Sequence, residues 1–487
     1  MPVSRRRVLE LGGAGVVGAA ITGCSPFTSA PSGAADHVIT IAQANIELAP
    51  GVTVSTTTYN GQFPGPLLRF VEGRPVTIDI RNQTNRPEQL HWHGQRLSVD
   101  VDGAAEEGTP FIPAHGTRRT RFTPGPSGFR FYHTHVVAGA DLSAGHYGGQ
   151  VGPVYIEPKR DPGRYDREVF LTLKEFGPTL SQGGDMAMDF LSPKAVDAAL
   201  RSQGEGAMQA SLAQGAPHGY EVGYQHFTIN GRMLGHGEPI RVRQGERVLL
   251  HILNGSATEI RSLALPGHVF EVVALDGNPV PKPVSAPVLW LGTAERVSAI
   301  VEMSRPGVWV LGDVADDDRG NGMGIVVEYA LASGPPQWTR PPRSSWDYTA
   351  FGPSRVQTPA PDEIFDLAFA KQNAAINGFN RWTINGVAYS DAQMNQSMFK
   401  LRRGRRYRLR MANASDDIHP VHLHRHSFEL ARIAGRATSG ITKDVVMLGG
   451  YQRLEVDFVA DNPGRTLFHC HQQLHMDFGF MCLFDYV

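Results

Sequence analysis

The feature that most constrains the fold of this chain is an internal repeat that occurs three times. Each copy has an Asn-Gly pair, then a turn glycine, then an asparagine nine residues after that glycine. The three sets are Asn60-Gly61, Gly73 and Asn82; Asn230-Gly231, Gly245 and Asn254; and Asn385-Gly386, Gly404 and Asn413. Residues rich in Val, Ile and Thr alternate around these turns, which indicates short antiparallel strands. The repeat therefore predicts an all-β chain of three similar barrels or sandwiches.

The length of 487 residues agrees with several domains, because it is too great for one hydrophobic core. We place the three β domains at residues 37–158, 159–334 and 358–487. Residues 335–357 contain repeated Pro and Ser and are predicted to be a linker.

Residues 1–36 are predicted to be an export signal and a tether. Ser4-Arg5-Arg6-Arg7-Val8-Leu9 resembles a twin-arginine motif, and the apolar segment after it is too short to span a bilayer. Ile21-Thr22-Gly23-Cys24 resembles a lipobox, in which Cys24 would carry the lipid; an ordinary cleaved signal is the alternative. We expect an exported protein that is periplasmic, extracellular or anchored by lipid to the outer face of the membrane.

Charge and cysteine content exclude several other classes of protein. The 46 Lys and Arg residues balance 47 Asp and Glu residues, so nothing indicates a nucleic-acid partner or an anionic membrane surface. Three cysteines are too few for a disulfide framework. Cys482 lies in an apolar run and is expected to be a buried, inert thiol.

The strongest chemical signal is the segment from Phe468 to His475. In a strand, His469 and His471 share one face and Cys470 points away from the other. Cys470 with His475 and a second, distant His would form the His2Cys set that selects blue copper. His469 and His471 would then belong to a different metal site.

Three more His-x-His pairs support a second site. They are His91 and His93, His133 and His135, and His422 and His424. His419 lies three residues before His422 and so faces the opposite way, as Cys470 does relative to its neighbours. Any one pair is explained by coincidence, but four pairs together with Cys470 are not.

Taken together, these motifs resemble those of the multicopper oxidases, laccases included. The motifs are His-Trp-His-Gly from His91, Tyr-His-Thr-His from Tyr132, His-Pro-x-His-x-His from His419 and His-Cys-His-x3-His from His469. The resemblance implies three consecutive cupredoxin-like Greek-key domains and four coppers: one type 1, one type 2 and two type 3. It assigns His419, Cys470 and His475 to type 1; His91 and His422 to type 2; His93, His133 and His471 to one type 3 copper; and His135, His424 and His469 to the other.

The repeat also predicts that the middle domain holds no copper. Nine and eleven residues after the repeat asparagine the three copies have His91 and His93, Leu263 and Leu265, and His422 and His424. Counting from Pro306-Gly307, the middle copy has Gly312, Asp313 and Val314 where the third copy has His469, Cys470 and His471. The trinuclear site is therefore expected between the first and third domains, while the middle one provides spacing and substrate access.

The resemblance implies a copper-dependent oxidoreductase with dioxygen as acceptor. Electrons would enter at His475 and pass through Cys470 to its two histidine neighbours. Asp102 matches an acidic residue that the family uses for proton supply beside the type 2 copper, although a turn residue before Gly103 is the plain alternative. Some bacterial members have Glu directly after the last histidine, whereas this chain has Met476.

The axial position of the type 1 copper is expected to hold Phe480, ten residues after Cys470. Phenylalanine cannot coordinate, and the missing thioether predicts a high-potential, laccase-like site. The alternative is that Met481, the next residue, replaces it.

The substrate is the least determined part of this interpretation. We expect oxidation of small aromatic donors such as phenols and aromatic amines by a monomer. Oxidation of cuprous or ferrous ions in copper tolerance is the alternative, yet Met186 with Met188 and Met394 with Met398 form no methionine-rich tract. A copper-free structural relative is disfavoured because all ten histidines and Cys470 are present, and a cupredoxin electron carrier would need only the type 1 set.

Overall fold

Each copy of the repeat folds into a pair of β-sheets. The structure, a computed structural model, describes residues 33–159, 164–181, 190–191, 196–216, 218–353 and 359–487. The twin-arginine motif, Cys24, Met186 and Met188 lie outside the described residues. Residues 35–487 form one compact unit.

The first pair of sheets is built from eight strands. The strands are β1 His37–Ala49, β2 Val52–Tyr59, β3 Leu68–Val71, β4 Val76–Asn82, β5 His91–His93, β6 Thr117–Phe122, β7 Gly128–His133 and β8 Val151–Glu157. Their orders are β2-β1-β4-β6 and β3-β8-β7-β5. A short helix, α1 Val99–Asp102, and a 3-10 turn, Gly145–Tyr147, lie between strands.

The second pair of sheets contains eleven strands. They are β9 Arg167–Ser181, β10 Glu221–Ile229, β11 Ile240–Val242, β12 Arg247–Asn254, β13 Arg261–Ala264, β14 Phe270–Leu275, β15 Asn278–Ala286, β16 Leu289–Leu291, β17 Arg296–Glu302, β18 Val308–Asp313 and β19 Gly324–Tyr329. The orders are β10-β9-β12-β17-β14-β15 and β11-β19-β18-β13-β16. Two helices, α2 Ala198–Ala213 and α3 Asp316–Gly320, accompany them; Asp197 caps α2 by accepting the N–H groups of Ala199 and Leu200.

The third pair of sheets contains twelve strands. They are β20 Glu363–Ile376, β21 Phe379–Ile384, β22 Met398–Leu401, β23 Arg406–Asn413, β24 His419–Leu423, β25 Phe428–Ile433, β26 Arg436–Ala437, β27 Thr442–Lys443, β28 Val445–Leu448, β29 Arg453–Val459, β30 Thr466–Cys470 and β31 Met481–Tyr486. The orders are β21-β20-β23-β29-β25-β26, with β27 on β25, and β22-β31-β30-β24-β28. The other elements are α4 Gln473–Asp477 and the 3-10 turns Tyr348–Phe351 and Asp391–Ser397.

The strand orders repeat, which confirms the prediction of three similar β domains. The strand order β3-β8-β7-β5 of the first domain corresponds to the order β11-β19-β18-β13 of the second and to the order β22-β31-β30-β24 of the third. The asparagines of the Asn-Gly pairs all have a positive φ, between 53° and 55°. The glycines that follow them also have positive φ, as a two-residue hairpin turn requires.

The repeat asparagine performs the same task in each domain. Its side-chain N–H group donates to a carbonyl four or five residues later and to a second carbonyl from a distant strand end. These acceptors are Arg86 and Ile112 for Asn82, Glu259 and Leu291 for Asn254, and Asp417 and Gly449 for Asn413. The asparagine therefore ties two loops together, and in the first and third domains it does so just before the strand that carries the first His-x-His pair.

The buried apolar side chains form several clusters. One cluster lies within the first domain, and a larger one runs through the second and third domains and includes Cys470 and Phe480. None of the described helices is both long and apolar enough to span a membrane.

Candidate metal centre

The histidines of the His-x-His pairs are placed by paired strands in two domains. Strand β5 runs antiparallel to β7, so that His91 lies opposite His133. Strand β24 runs antiparallel to β30, so that His422 lies opposite His469. Because alternate residues of a strand share a face, each domain presents its imidazoles as a group.

The two groups of imidazoles meet across the domain boundary. The rings of His91 and His424 stack with centroids 4.1 Å apart, and those of His93 and His422 stack at 3.8 Å. All eight histidines are buried. Their ligand atoms form sets that lie within 4.8 Å of one another, among them His91 with His422 and His424, His91 with His93 and His133, and His135 with His424 and His469.

Two close nitrogen pairs indicate that this site suits cations. Nδ1 of His93 lies 3.3 Å from Nε2 of His133, and Nε2 of His424 lies 3.1 Å from Nε2 of His469. The other nitrogen of each ring faces an oxygen that accepts its proton, so two lone pairs point at each other. These oxygens belong to Asp444, Thr134, Asp102 and Cys470.

Further nitrogens in the same site make no hydrogen bond that meets normal geometry. Buried ring nitrogens without a hydrogen-bond partner belong to His91, His135, His422 and His471. Leaving buried polar atoms unpaired is costly. Copper fits this donor set, because imidazole is one of its preferred ligands.

Burial keeps most of these imidazoles neutral. It lowers the pKa well below the ordinary value for His93, His133, His422, His424, His469 and His471. Burial also acts to lower the pKa of His135, but the carboxylate of Glu106, 3.4 Å away, more than offsets this and the pKa is raised. Neutral imidazoles have the free lone pair that metal binding needs.

Asp102 lies inside the site, at the end of α1. Its Oδ2 atom is 3.0 Å from Nδ1 of both His91 and His424. Glu107 lies beside it and accepts the N–H group of Leu467 at 2.7 Å. Burial, followed by the charge of Asp102, raises the pKa of Glu107 well above its ordinary value. Asp102 and Glu107 are therefore neighbouring carboxyl groups beside the histidines, and the sequence indicated only Asp102.

On the other face of β30, the predicted type 1 residues come together. The Sγ atom of Cys470 lies 3.7 Å from Nδ1 of His419 and 3.6 Å from Nδ1 of His475. Nε2 of His419 faces the hydroxyl of Ser415 at 3.0 Å, which leaves Nδ1 for the sulfur side. Burial lowers the pKa of His475 to about 4 and raises that of the Cys470 thiol. A cysteine, which binds copper as its thiolate, with two neutral imidazoles is the donor set of a blue copper site.

Phe480 and Met481 point to different parts of the molecule. Phe480 is fully buried beside the ring of His419, with centroids 4.7 Å apart, in the apolar cluster that contains Cys470. Met481 packs with Leu467 in a separate apolar cluster. The geometry therefore favours Phe480 at the axial position, although the assignment of each residue to an individual copper stays a prediction.

His475, the predicted point of electron entry, is almost completely buried. The residue is only 1% exposed, and the ring of Trp382 lies over it with centroids 4.2 Å apart. Helix α4, which carries His475, also packs against the other domains: the N–H group of Gln473 donates to Ala257. A donor therefore cannot touch the imidazole directly in this structure. The indole of Trp382 is also approached by Lys371, whose Nζ is 5.7 Å from the ring centroid.

The structure adds residues that the sequence did not indicate. His146 is buried with Nε2 2.6 Å from Nδ1 of His133. No spacing marks it in the sequence. Asp444 was also missed, but a signal existed: Lys443 and Asp444 interrupt an apolar strand-like run, where charged residues are rarely buried without a partner.

The middle domain has no imidazole at the corresponding positions. Leu263 occupies the position that His91 and His422 have in the other domains, and the residue paired with it on β18 is Asp313. Counting from the Pro-Gly pair predicted that Gly312 corresponds to His469. Because His422 pairs with His469 and Leu263 pairs with Asp313, the residue that corresponds to His469 is Asp313, and the prediction is wrong by one residue. The register of the strands, rather than the loop, sets the correspondence.

Comparison with known proteins agrees with this arrangement. Three family models described as "Multicopper oxidase" match residues 40–161, 202–329 and 358–487. The chain is 29% identical to the multicopper oxidase MmcO of Mycobacterium tuberculosis over 454 residues, which cover 91% of this chain and 85% of that protein. It is 24% identical to a copper resistance protein A homolog of Pseudomonas syringae pv. tomato, over 91% of this chain and 90% of that protein.

A solved structure shows the same fold. The laccase from Botrytis aclada superposes with a TM-score of 0.72 at 19% identity, over 92% of this chain and 87% of that chain. The family models together cover most of the chain, and the site has the donor groups that four coppers require. The chain therefore belongs to the multicopper oxidases, copper-dependent oxidoreductases that use dioxygen as the electron acceptor.

Proposed function

We propose that this enzyme oxidises small aromatic donors, phenols and aromatic amines, one electron at a time at the type 1 site and reduces dioxygen to water at the trinuclear site. The proposed copper ligands are the ten histidines and Cys470, assigned as the resemblance to the multicopper oxidases implies. The proposed donor class rests on the surroundings of the type 1 site.

The observation that carries this proposal is a cavity of about 510 Å³ next to the type 1 loop. Gln472, two residues after Cys470, forms part of its wall, and the rings of Phe190 and Trp290 stack at 3.9 Å in the same lining. Burial raises the pKa of Glu221, also in the lining, to about 8. An aromatic wall with a protonatable carboxyl suits a phenol or an aniline, and the volume is typical of small-molecule sites.

The protein supplies the route for electrons between its two sites. Copper, when bound, supplies one-electron redox chemistry and the binding of dioxygen. Cys470 lies on the type 1 face of β30, while its neighbours His469 and His471 face the eight-histidine site. The backbone of three consecutive residues therefore connects the sites covalently.

We further propose that Asp102 supplies protons for dioxygen reduction. Its Oδ2 atom is within 3.0 Å of two of the site's histidines, and the residue is fully buried beside them. A carboxyl group held in this way is placed to pass protons during the reaction.

Two observations favour metal-ion oxidation as the second candidate. Met476 and Met481 pack in one small cluster beside Met394 and Met398, which makes four thioethers near the type 1 loop, whereas the sequence marked only Met394 and Met398 of these four. Soft thioether ligands suit Cu(I). The cavity wall also includes four carboxyl groups, from Glu221, Glu259, Asp313 and Asp318.

The deciding experiment is steady-state oxidation of 2,6-dimethoxyphenol by the copper-loaded protein, with oxygen uptake recorded. We expect uptake without added metal ions. Uptake only with added copper, or a clear preference for Cu(I) or Fe(II), would transfer the assignment to metal-ion oxidation.

Two variants make the distinction sharper. Trp290→Ala should raise KM for the phenol more than for Cu(I), because it removes part of the aromatic wall. Met394→Leu together with Met398→Leu should affect only Cu(I) oxidation, because leucine keeps the packing and removes the sulfur. Trp338→Ala is the matched control, since Trp338 packs on Arg319 and is not itself part of the cavity lining.

We also propose export and action as a monomer, with membrane contact only through a lipid on Cys24. The support is the twin-arginine and lipobox resemblance of residues 4–24. Mass spectrometry of the mature N-terminus tests this: a lipid on Cys24 that disappears in Cys24→Ala is expected, and a cleaved, unmodified terminus would contradict the anchor.

A further inference from the structure

A cluster of buried charges lies where all three domains meet, next to the histidine site. Strand β7 of the first domain contributes one member, the second domain contributes three and the third contributes two. The six residues, here called the interdomain ion cluster, are Arg130, Asp276, Glu295, Arg296, Lys443 and Asp444. Three cations balance three anions, as buried charges require.

Arg296, the first residue of β17 in the middle domain, is held completely. Its guanidinium donates to both carboxylate oxygens of Asp444, at 2.7 and 2.6 Å. The remaining N–H groups donate to carbonyls of Phe129, Ala294 and Asp276. Every donor of the side chain is used, so its position is fixed by three domains at once.

Asp444 in turn contacts two histidines of the site. Its Oδ1 atom accepts from Nε2 of His93 at 3.0 Å, and its carbonyl oxygen accepts from Nδ1 of His422 at 2.6 Å. With its proton held on Nε2, His93 directs Nδ1 toward His133. One residue thus sets the tautomer and orientation of histidines from two domains.

Gly94, directly after His93, gives the cluster room to reach the site. A Cβ atom at this position would lie 2.7 Å from Oδ2 of Asp444 and 2.8 Å from a nitrogen of Arg296. The residue also has φ +76°, which disfavours other side chains. The glycine of the His-Trp-His-Gly motif is therefore explained by an arginine and an aspartate from other domains.

We propose that Arg296 is a positioning residue of the trinuclear site and acts through Asp444 on His93. The middle domain, which contributes no ligand, would then hold a ligand of another domain in place. The inference rests on the proposed copper assignment, since it requires metal at the eight-histidine site.

The test is Arg296→Lys in the full copper-loaded protein. Lysine keeps the charge but cannot donate to both oxygens of Asp444 in one fork. We expect the copper of the trinuclear site to be removed at a chelator concentration about 10- to 100-fold lower than in the unaltered protein. The blue absorption of the Cys470 site should persist at unchanged chelator resistance, because Arg296 contacts none of its residues.

Arg261→Lys is the matched control. Arg261 is also fully buried in the middle domain and pairs with Glu175 and Asp318, but it contacts no histidine of the site. It should leave copper retention at both sites unchanged. Equal loss in both lysine variants would mean that any buried arginine of this domain matters only for folding, and would overturn the proposal.

Asp444→Asn provides a second route if Arg296→Lys fails to fold. It keeps the size of the side chain and one acceptor oxygen while removing the charge that the guanidinium holds. The same selective loss of trinuclear copper is expected, and unchanged retention would refute the role of this pair. If the unaltered protein itself binds only type 1 copper, the copper assignment fails instead, so the two failures are distinguishable.

Discussion

The type 1 set and the eight-histidine set differ in how many domains build them. Cys470, His419 and His475 all come from the third domain, and two of them lie on neighbouring strands β24 and β30. The eight histidines come equally from the first and third domains and meet across their boundary. One site therefore needs a single folded domain, whereas the other needs the domains to be assembled.

The surroundings of the two sets differ as well. Aromatic side chains enclose the type 1 set: Phe480, Trp382 and, behind them, Phe369. Carboxylates surround the histidine set: Asp102, Glu106 and Asp444 each approach a ring nitrogen within 3.4 Å. Apolar side chains around a copper affect its reduction potential because they offer no axial ligand. Carboxylates beside imidazoles determine which ring nitrogen carries the proton, and they can transfer protons. Substitutions should therefore separate the two sites.

The largest effect is expected from Cys470→Ser. It removes the sulfur that lies 3.7 Å from His419 and 3.6 Å from His475, so the blue absorption and all donor oxidation should be lost. Copper in the histidine site should remain, because the side chain of Cys470 points away from it. Metal analysis with absorption spectra checks both. Cys482→Ser, a buried thiol without histidine contacts, is the control; loss of all copper in Cys470→Ser would contradict two separate sites.

Copper removal should produce the next largest effect, on stability. The histidine site joins two domains, so metal bound there stabilises the assembled state over the unfolded one. We expect the copper-free protein to melt at a lower temperature than the loaded protein. Cys470→Ser should keep most of this difference, since it retains the shared site. Equal melting curves with and without copper would contradict a site between domains.

The comparison also explains what the sequence could and could not predict. The three sandwiches were predictable, because the repeated turns and the nine-residue interval determine local backbone conformation in every copy. The separation of the candidate ligands into two groups was predictable too, because strand alternation places His419 and Cys470 on one side and the His-x-His pairs on the other.

Contacts between distant segments were not predictable in the same way. Arg296 and Asp444 meet through the packing of three domains, and nothing in the local sequence of either residue specifies its partner. The cover of Trp382 over His475 likewise depends on how β21 and α4 pack together. His146 has no spacing signal, since a turn rather than a strand places it next to His133.

Asp102→Asn should have an intermediate effect, confined to the histidine site. The amide keeps the size of the side chain but cannot supply a proton, so dioxygen reduction should slow by about 100-fold. Reduction of the type 1 site by donor should continue at the normal rate. Stopped-flow measurement of reduction and reoxidation separates the two steps. Asp100→Asn, an exposed carboxylate on the same helix, is the control, and equal rates in Asp102→Asn would remove this residue from the mechanism.

Phe480→Met should have the smallest effect, confined to the type 1 site. A thioether in place of the ring beside His419 can reach the metal, which should lower the potential by on the order of 60 mV, a tenfold change in the one-electron equilibrium. Redox titration of the blue absorption measures this shift. Phe478→Met, which replaces a ring stacked on Phe379 instead, should leave the potential unchanged. Because Met481 packs with Leu467 in another cluster, we expect Met481→Leu to leave the potential unchanged. If Met481 were the axial residue, Met481→Leu would instead raise the potential, and Phe480→Met would not lower it.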